Sequence, residues 1–366
     1  MSKGHNALYY GDYLQLDKLL DAQHLESGKE GPPAHDEMLF IIIHQTYELW
    51  FKQILWEIDG VVGILNRGVV EEKGLGKATA HLERIVSIQR VLTQQIDILE
   101  TLTPLDFLDF RDHLIPASGF QSVQWRLVEN RLGMRRTDRH AFTKTSYTSR
   151  FTEPDRDRVE STEKEVNLFD IIQSWLERTP FVQFGMYDFW NDYREAVDRM
   201  LESDEGLIRS NPTLSESEIE AQIKNLDSTR VHFNALFDKD AYQKLVDSGE
   251  MRLSHKALQA ALLIQLYRDE PILHLPFRLI QVLVDIDENF STWRYRHSLM
   301  VMRMIGTKIG TGGSSGHEYL RKTAEQNRVF KDLVNLSTFF IPRSELPQLP
   351  EEIATQLGFY WRPEST

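Results

Sequence analysis

A histidine on a strongly apolar helix face is the first residue whose type and position could support chemistry. Side chains at helical spacings of three, four and seven residues put His297 on one face with Phe290, Trp293, Met300, Val301 and Met304. Burial among such side chains disfavours the charged form, so the imidazole is expected to be neutral. A neutral imidazole suits the axial position of a haem iron. Spacing alone favours the simpler interpretation, a core histidine bonded to a backbone carbonyl.

A second histidine lies in a similar setting. Phe40, His44 and Phe51 share one face of another apolar segment, at offsets of four and seven residues. One interpretation is a polar group in an aromatic pocket, placed to bond a ligand N–H. The commoner outcome for such a pattern is a buried histidine bonded to a facing helix.

Arg111 is the third candidate, one helical turn beyond Phe107. A half-buried guanidinium favours a carboxylate partner, bidentate where the geometry allows it. Asp109 or Asp112 could supply that carboxylate on the surface, which would make the pair an ordinary solvated ion pair. The aromatic residues around Arg111 also allow it to line a pocket.

The glycine-rich segment at 310–316 matches two motifs only superficially. It is neither GxGxxG nor a phosphate-binding loop ending in Gly-Lys-Ser/Thr. Its GGSSG sequence matches the GxSxG nucleophile elbow, but a long helix precedes it and the only later histidine is the adjacent His317. The context therefore argues against a hydrolase with Ser314 as nucleophile. A ligand clamp with exposed backbone N–H groups and a plain flexible linker both stay open.

Helical periodicity positions these residues and predicts an all-α fold in one large domain. Apolar residues recur at helical spacing in 36–62, 79–102, 167–178, 188–201, 214–237, 254–267 and 276–305. The first of these segments is apolar on most of its circumference, which predicts a helix buried in the middle of the protein. Thr103-Pro104-Leu105-Asp106 predicts another helix start. Residues 135–164 are charged and rich in Ser and Thr, which predicts a polar loop or lid.

Composition limits the class of protein. The chain has 366 residues, is 41% hydrophobic, and carries 42 Lys and Arg against 55 Asp and Glu, a net charge of −13. An acidic surface makes nucleic acid an unfavourable partner. The absence of cysteine excludes disulfides, zinc–thiolate sites, iron–sulfur clusters and thiolate-ligated haem. No stretch has the length of a membrane span or the apolar core of a signal peptide, so we expect a soluble, cytoplasmic protein.

Five longer stretches resemble the tryptophan 2,3-dioxygenase family, and the similarity runs from about residue 9 to residue 343. They are YYGDYLQLDKLLDAQ at 9–23, FIIIHQTYELWFKQIL at 40–55, LTPLDFLDFRDHLIPASGFQS at 102–122, LFDKDAYQKLVDSGEMRLSHKALQAALLIQLYRDEP at 236–271, and WRYRHSLMVMRMIGTKIGTGGSSG at 293–316. The second and fifth contain His44 and His297. Their length makes the match far more specific than a short motif.

The resemblance implies a helical enzyme that holds haem b non-covalently, with one iron per subunit, usually as a homotetramer. Such an enzyme uses O2 to open the indole ring of L-tryptophan to N-formyl-L-kynurenine, the first step of the kynurenine route. The implied organisation is an N-terminal segment at 1–35 that contributes to a neighbouring subunit, and a catalytic domain at 36–345. Peripheral acidic helices at 188–250 belong to that domain, and a C-terminal tail follows at 346–366.

The resemblance also implies roles for particular residues. His297 would be the proximal iron ligand, packed by Trp293, Met300, Val301 and Met304. His44 would bond the indole N–H, Arg111 the substrate carboxylate, and Thr311 the amino-acid end. Further pocket residues would be Phe40 and Phe107 against the indole, Tyr10, Tyr13 and Leu14 from a neighbouring subunit, and Ser118 near the distal side.

Two rival interpretations keep the haem. A monooxygenase or peroxygenase of the same superfamily would act on another aromatic substrate, and a haem sensor or carrier would not turn over at all. A substrate without an α-carboxylate has no use for Arg111, and a sensor needs no pairing of Arg111 with Thr311. One departure from the family pattern is His317-Glu318-Tyr319 after the glycine-rich segment, where animal members typically have Tyr-His-Tyr.

Overall fold

The computed structural model describes residues 7–139, 146–180, 183–184, 187–308 and 316–358. Within these ranges the fold is helical, and the only strands are the short antiparallel pair β1 (Gln183–Phe184) and β2 (Tyr187–Asp188). The prediction of an all-α fold is confirmed. The helices are α1 Tyr10–Leu14, α2 Leu16–Leu20, α3 Glu37–Leu65, α4 Glu72–Leu99, α5 Pro104–Arg111, α6 Val123–Leu132, α7 Glu153–Thr162, α8 Leu168–Leu176, α9 Phe189–Ser210, α10 Glu216–Phe237, α11 Lys239–Asp247, α12 His255–Leu266, α13 Pro271–Ile305, α14 Gly316–Gln326, α15 Lys331–Asn335 and α16 Glu351–Leu357.

Three long helices form the centre of the molecule. α4 packs against both α3 and α13, and the aliphatic side chains of all three enter one hydrophobic core. Buried polar bonds fix their relative position: the Tyr47 hydroxyl donates to the carbonyl of Leu92 at 2.7 Å, and Gln89 Nε2 donates to the carbonyl of Ile286 at 2.9 Å. α3 and α13, which carry His44 and His297, are therefore held in a fixed arrangement.

Helix α3 is less buried than the sequence predicted. Ile42, Leu49 and Trp56 lie on one stripe of the helix and are exposed, Trp56 by 73%. The prediction of a fully buried helix is therefore wrong for this stripe, because no described element of the protomer packs over it. The opposite face, which includes Ile54 and Ile58, is completely buried as expected.

The polar segment 135–164 is not simply a loop. It contains α7 at Glu153–Thr162, which has a proline in its first turn and two acidic residues there. Val159 of this helix is fully buried in a small cluster with Leu127 and Phe151. The prediction of a loop is wrong at 153–162, because a single apolar residue gives no detectable period while tertiary packing still stabilises the helix.

Helix starts follow local chemistry where the sequence supplies it. Thr103 and Asp106 form the predicted capping box of α5. α10 begins at Glu216, two residues after the start of the predicted segment 214–237, and Ser215 caps it. α13 begins at Pro271, earlier than predicted, and continues through Pro276.

Candidate active site

Two histidines that are far apart in sequence lie near each other between α3 and α13. The helices that carry the two histidines meet through aromatic rings, since Trp293 of α13 contacts Tyr47 and Phe51 of α3 at 5.9 and 6.0 Å. Burial is the main cause that lowers the pKa of His297 to about 4, and the charge of His44 contributes to the decrease. Both rings are neutral at physiological pH as a result.

His44 is fixed at one ring nitrogen. Its Nδ1 lies 2.7 Å from the carbonyl oxygen of Phe40, one turn earlier on α3, and a carbonyl can only accept a hydrogen bond. The proton of the neutral ring therefore sits on Nδ1, which leaves Nε2 with a free lone pair. The ring is reached by solvent, yet it lies deep enough among protein atoms that burial lowers its pKa.

An aromatic wall stands beside His44. The Phe40 ring lies 4.1 Å from the imidazole centroid and 5.7 Å from the ring of Phe107 on α5. Phe110, which is completely buried, meets both phenylalanines at 5.4–5.5 Å with its ring edge towards them. Phe40 and Phe107 are only half-buried, so each keeps a face free to contact a flat apolar ligand.

Arg111 is the last residue of α5, the helix that also carries Phe107 and Phe110. The capping box at Thr103 fixes the start of that helix, and Arg111 follows Phe107 by one turn. Its side chain is 15% exposed, and Asp112 Oδ1 lies 3.9 Å from Nη1. Arg111 therefore places a mostly buried positive charge beside the aromatic residues at the end of α5.

His297 lies on an aromatic ladder of α13. Its imidazole stacks on Trp293, with centroids 5.9 Å apart and planes 11° from parallel. Trp293 in turn contacts Trp125 of α6 at 4.8 Å and Phe51 of α3 at 6.0 Å. Around this ladder the remaining predicted packing residues are buried (Met300 and Met304) or half-buried (Val301). The imidazole is thus held by rings and aliphatic side chains.

A buried ion cluster supports this ladder, and sequence inspection did not detect it. The Glu129 carboxylate accepts hydrogen bonds from Arg294 at 3.1 Å, from Arg126 at 2.9 Å and from Arg139. Burial alone would raise the pKa of Glu129, but the three arginine charges outweigh burial and hold it far below its usual value. The carboxylate therefore stays ionised at every physiological pH.

Arg294 links the ion cluster to the site. Its guanidinium lies 5.2 Å from the Trp125 ring and donates to the carbonyl of Asn327 at 2.7 Å. It therefore connects α6, α13 and the end of α14, one turn before His297. The WRYRH sequence contained Arg294, but nothing in the sequence pointed to Glu129 as its partner.

Some predicted residues are not brought to this site within the protomer. Tyr10, Tyr13 and Leu14 are 70%, 69% and 41% exposed. Ser118 caps a short turn by accepting the N–H of Phe120 at 3.4 Å, which places it between α5 and α6. Thr311 lies outside the described residues.

Comparison with known proteins identifies the family. The sequence model of tryptophan 2,3-dioxygenase matches residues 1–340. The Bdellovibrio bacteriovorus tryptophan 2,3-dioxygenase is 52% identical over 97% of this chain and 99% of its own length. The Dictyostelium discoideum protein of the same name is 49% identical over 97% of this chain and 89% of its own. The Xenopus tropicalis tryptophan 2,3-dioxygenase is 45% identical over 96% of this chain and 86% of its own length.

The chain belongs to the tryptophan 2,3-dioxygenase family. The resemblance found in the sequence is confirmed, and enzymes of this family are haem-dependent oxidoreductases. Among the described helices, none is both long and apolar enough to cross a membrane.

Proposed function

We propose that this tryptophan 2,3-dioxygenase family member catalyses the reaction of L-tryptophan with O2 to give N-formyl-L-kynurenine. Both oxygen atoms enter the product as the indole C2–C3 bond is cleaved, so the equation balances without an external reductant. The observation that carries the proposal is the pair of neutral histidines, His44 and His297, each set against an aromatic ring. This is the initial step of tryptophan breakdown by the kynurenine route.

The residues around His297 fit haem b, one per subunit. A neutral imidazole stacked on Trp293, with buried Met300 and Met304 on the same helix, matches an axial ligand with apolar side chains against a porphyrin. Trp293, Met300, Val301 and Met304 would pack the macrocycle, and His297 would hold the iron. When bound, haem would supply ferrous iron, the centre that activates O2.

His44 orients the substrate in this proposal. Its Nδ1–H is directed to the Phe40 carbonyl, so the free Nε2 accepts a hydrogen bond from the indole N–H. Full proton removal is not required, because holding the N–H suffices to position C2 and C3. Phe40 and Phe107 pack on the faces of the indole ring and exclude water from it.

Arg111 selects an amino acid over other indoles. Its guanidinium pairs with the substrate carboxylate, and a ligand without that group would leave the guanidinium desolvated and unmatched. We assign the amino-acid end also to Thr311, which rests on the sequence resemblance alone. Ser118 is assigned to the distal side on the same basis.

The site is completed by a second subunit in this proposal. Tyr10, Tyr13 and Leu14 are exposed in the protomer, while residues nearby are tied to α3: Gln45 Nε2 donates to the carbonyl of Ala22 at 2.8 Å. The later residues of this segment are bonded to α3, and its earlier residues expose large apolar side chains. Such a segment favours docking on another copy of the chain. We assign the assembly as a homotetramer.

Substrate selection tests the proposal. The wild-type holoenzyme should convert L-tryptophan to N-formyl-L-kynurenine and discriminate strongly against tryptamine, which lacks only the carboxylate. Arg111→Ala should weaken L-tryptophan binding by about 2–5 kcal/mol, the range for a desolvated charge pair that loses one partner. In the same variant, the ratio of kcat/KM for L-tryptophan to kcat/KM for tryptamine should fall strongly.

A matched control is Arg209→Ala, which removes an arginine that is 58% exposed and paired with Glu205 on α9. It should leave both kcat/KM values unchanged. Full discrimination against tryptamine by Arg111→Ala would remove Arg111 from the substrate pocket. Lack of any ring-opened product from wild-type holoenzyme would overturn the proposed function.

A further inference from the structure

Glu48 lies one helical turn after His44 on α3, so their side chains are neighbours on the helix surface. Its position is fixed from another helix. Glu48 Oε1 accepts a hydrogen bond from the Ser122 hydroxyl at 2.5 Å, and Oε2 accepts one from Gln124 Nε2 at 3.0 Å. Gln124 Nε2 also donates to the backbone carbonyl of Glu48 at 2.8 Å.

These two partners hold the carboxylate without neutralising it. A hydroxyl and an amide carry no net charge, so the negative charge of Glu48 acts on its surroundings. Burial lowers the pKa of His44, and the bond to the Phe40 carbonyl and the charge of Glu48 both raise it again. The imidazole thus lies between a fixed acceptor one turn earlier and a fixed anion one turn later.

Ser122 also makes a second hydrogen bond, which links Glu48 to the start of α6. Its hydroxyl oxygen also accepts the N–H of Trp125, which caps the start of α6. The same hydroxyl therefore joins the α6 start to the helix that carries His44. Trp125 belongs to the ring ladder of His297, so Glu48 lies on the connection between the two halves of the site.

We propose that Glu48 is a positioning residue for the reaction: held by Ser122 and Gln124, its carboxylate keeps the His44 imidazole a strong acceptor for the indole N–H. This inference rests on the proposed function. As oxygen attacks the indole C2–C3 bond, electron density leaves the ring and the N–H becomes more acidic. An acceptor beside a fixed negative charge stabilises that N–H more in the transition state than in the ground state.

Two other charged or titratable groups belong to the site that contains His44. They are His297 on α13, whose positive form would repel an imidazolium, and Arg111, one turn beyond the Phe107 that contacts Phe40. Glu48 is the acidic group of α3 whose charge raises the pKa of His44. Removing its charge should therefore make His44 less basic.

The test is Glu48→Gln in the haem-loaded enzyme, with kcat/KM for L-tryptophan measured against pH. Neutral His44 accepts a hydrogen bond from the indole N–H, so activity falls as the pH drops through the pKa of His44. The charge of Glu48 raises that pKa, so Glu48→Gln should move the acidic limb of the profile to lower pH and reduce kcat/KM on the plateau. Glutamine preserves size, and its Oε1 can accept the hydrogen bond from Gln124 Nε2 that the carboxylate now accepts.

A readout independent of turnover is the titration of the His44 ring by NMR, with 15N-labelled histidine in the ferrous, carbon monoxide-bound holoenzyme. Glu48→Gln should shift this titration to lower pH as well. Gln124→Lys provides a second route, because an ammonium at the carboxylate cancels its charge while Glu48 stays in place. It should shift both measurements in the same direction.

Asp59→Asn is the matched control. It makes the same charge change on the same helix, at a side chain that is 55% exposed and paired with Arg131, and it should move neither measurement. The proposal is overturned if Glu48→Gln and Gln124→Lys leave the His44 titration unchanged, or if Asp59→Asn shifts it equally. Wild-type turnover with an unchanged profile in Glu48→Gln would refute this inference alone, whereas no ring-opened product from wild type would refute the proposed function.

Discussion

His297 is the residue on which haem binding depends in this account. Its imidazole is neutral at physiological pH because burial lowers its pKa to about 4, so no proton competes with iron for the ring nitrogen. A hydrogen bond to a carbonyl, the alternative left open by the sequence, is not among the contacts of the ring in the described structure. Its neighbours are instead the rings of a ladder that includes Trp293.

We predict that His297→Ala loses haem. The variant should purify with a much reduced Soret absorbance, and added imidazole should restore part of the five-coordinate spectrum by replacing the missing ligand. His232→Ala is the control, since that exposed histidine bonds only to the Ser228 carbonyl one turn earlier. Retention of haem by His297→Ala at wild-type affinity would reject His297 as the ligand.

At the scale of helices, the sequence predicted what local patterns determine. The helical period of apolar residues predicted α3 and α13, and the Thr-Pro-x-Asp capping sequence predicted the start of α5. Both signals depend only on residues that are close in sequence. Helical spacing also put Phe40 and His44 on one face of α3, where their ring centroids lie 4.1 Å apart. α7 was missed because only Val159 among its residues is buried.

Contacts between helices could not be predicted in the same way. The Glu129–Arg294 bond joins residues 165 positions apart, and the Ser122–Glu48 bond spans 74. Periodicity marks a polar residue on a helix but does not identify its partner, since that depends on how helices pack. The family resemblance supplied His44 and His297 as a pair, whereas both of these supporting bonds emerged only from the structure.

At the scale of the whole molecule, two apolar surfaces stand out on the protomer. One is the exposed stripe of α3 with Ile42, Leu49 and Trp56, and the other is the N-terminal segment with Tyr10 and Tyr13. The first lies on the helix that carries His44, and the second belongs to a segment that is bonded to that helix through Gln45 and the Ala22 carbonyl. A homotetramer in which the N-terminal segment of one subunit completes the site of another would cover such surfaces.

Subunit complementation tests this arrangement. Arg111→Ala disables the site of its own chain, and Tyr13→Ala should impair the site of a neighbouring chain. Mixed oligomers of the two variants should regain activity, up to about one quarter of the sites at equal expression if chains mix at random and one neighbour serves each site. Co-purification of differently tagged chains verifies mixing, and mixed oligomers without recovered activity would show that Tyr13 acts within its own chain or not at all.

The most direct test of the central claim is the fate of the two oxygen atoms. The haem-loaded, reduced enzyme is mixed with L-tryptophan under 18O2, and the product mass is measured promptly, before its oxygens exchange with water. We predict N-formyl-L-kynurenine that carries two 18O atoms. A product with an intact indole ring and a single 18O atom would contradict it and make the protein a monooxygenase.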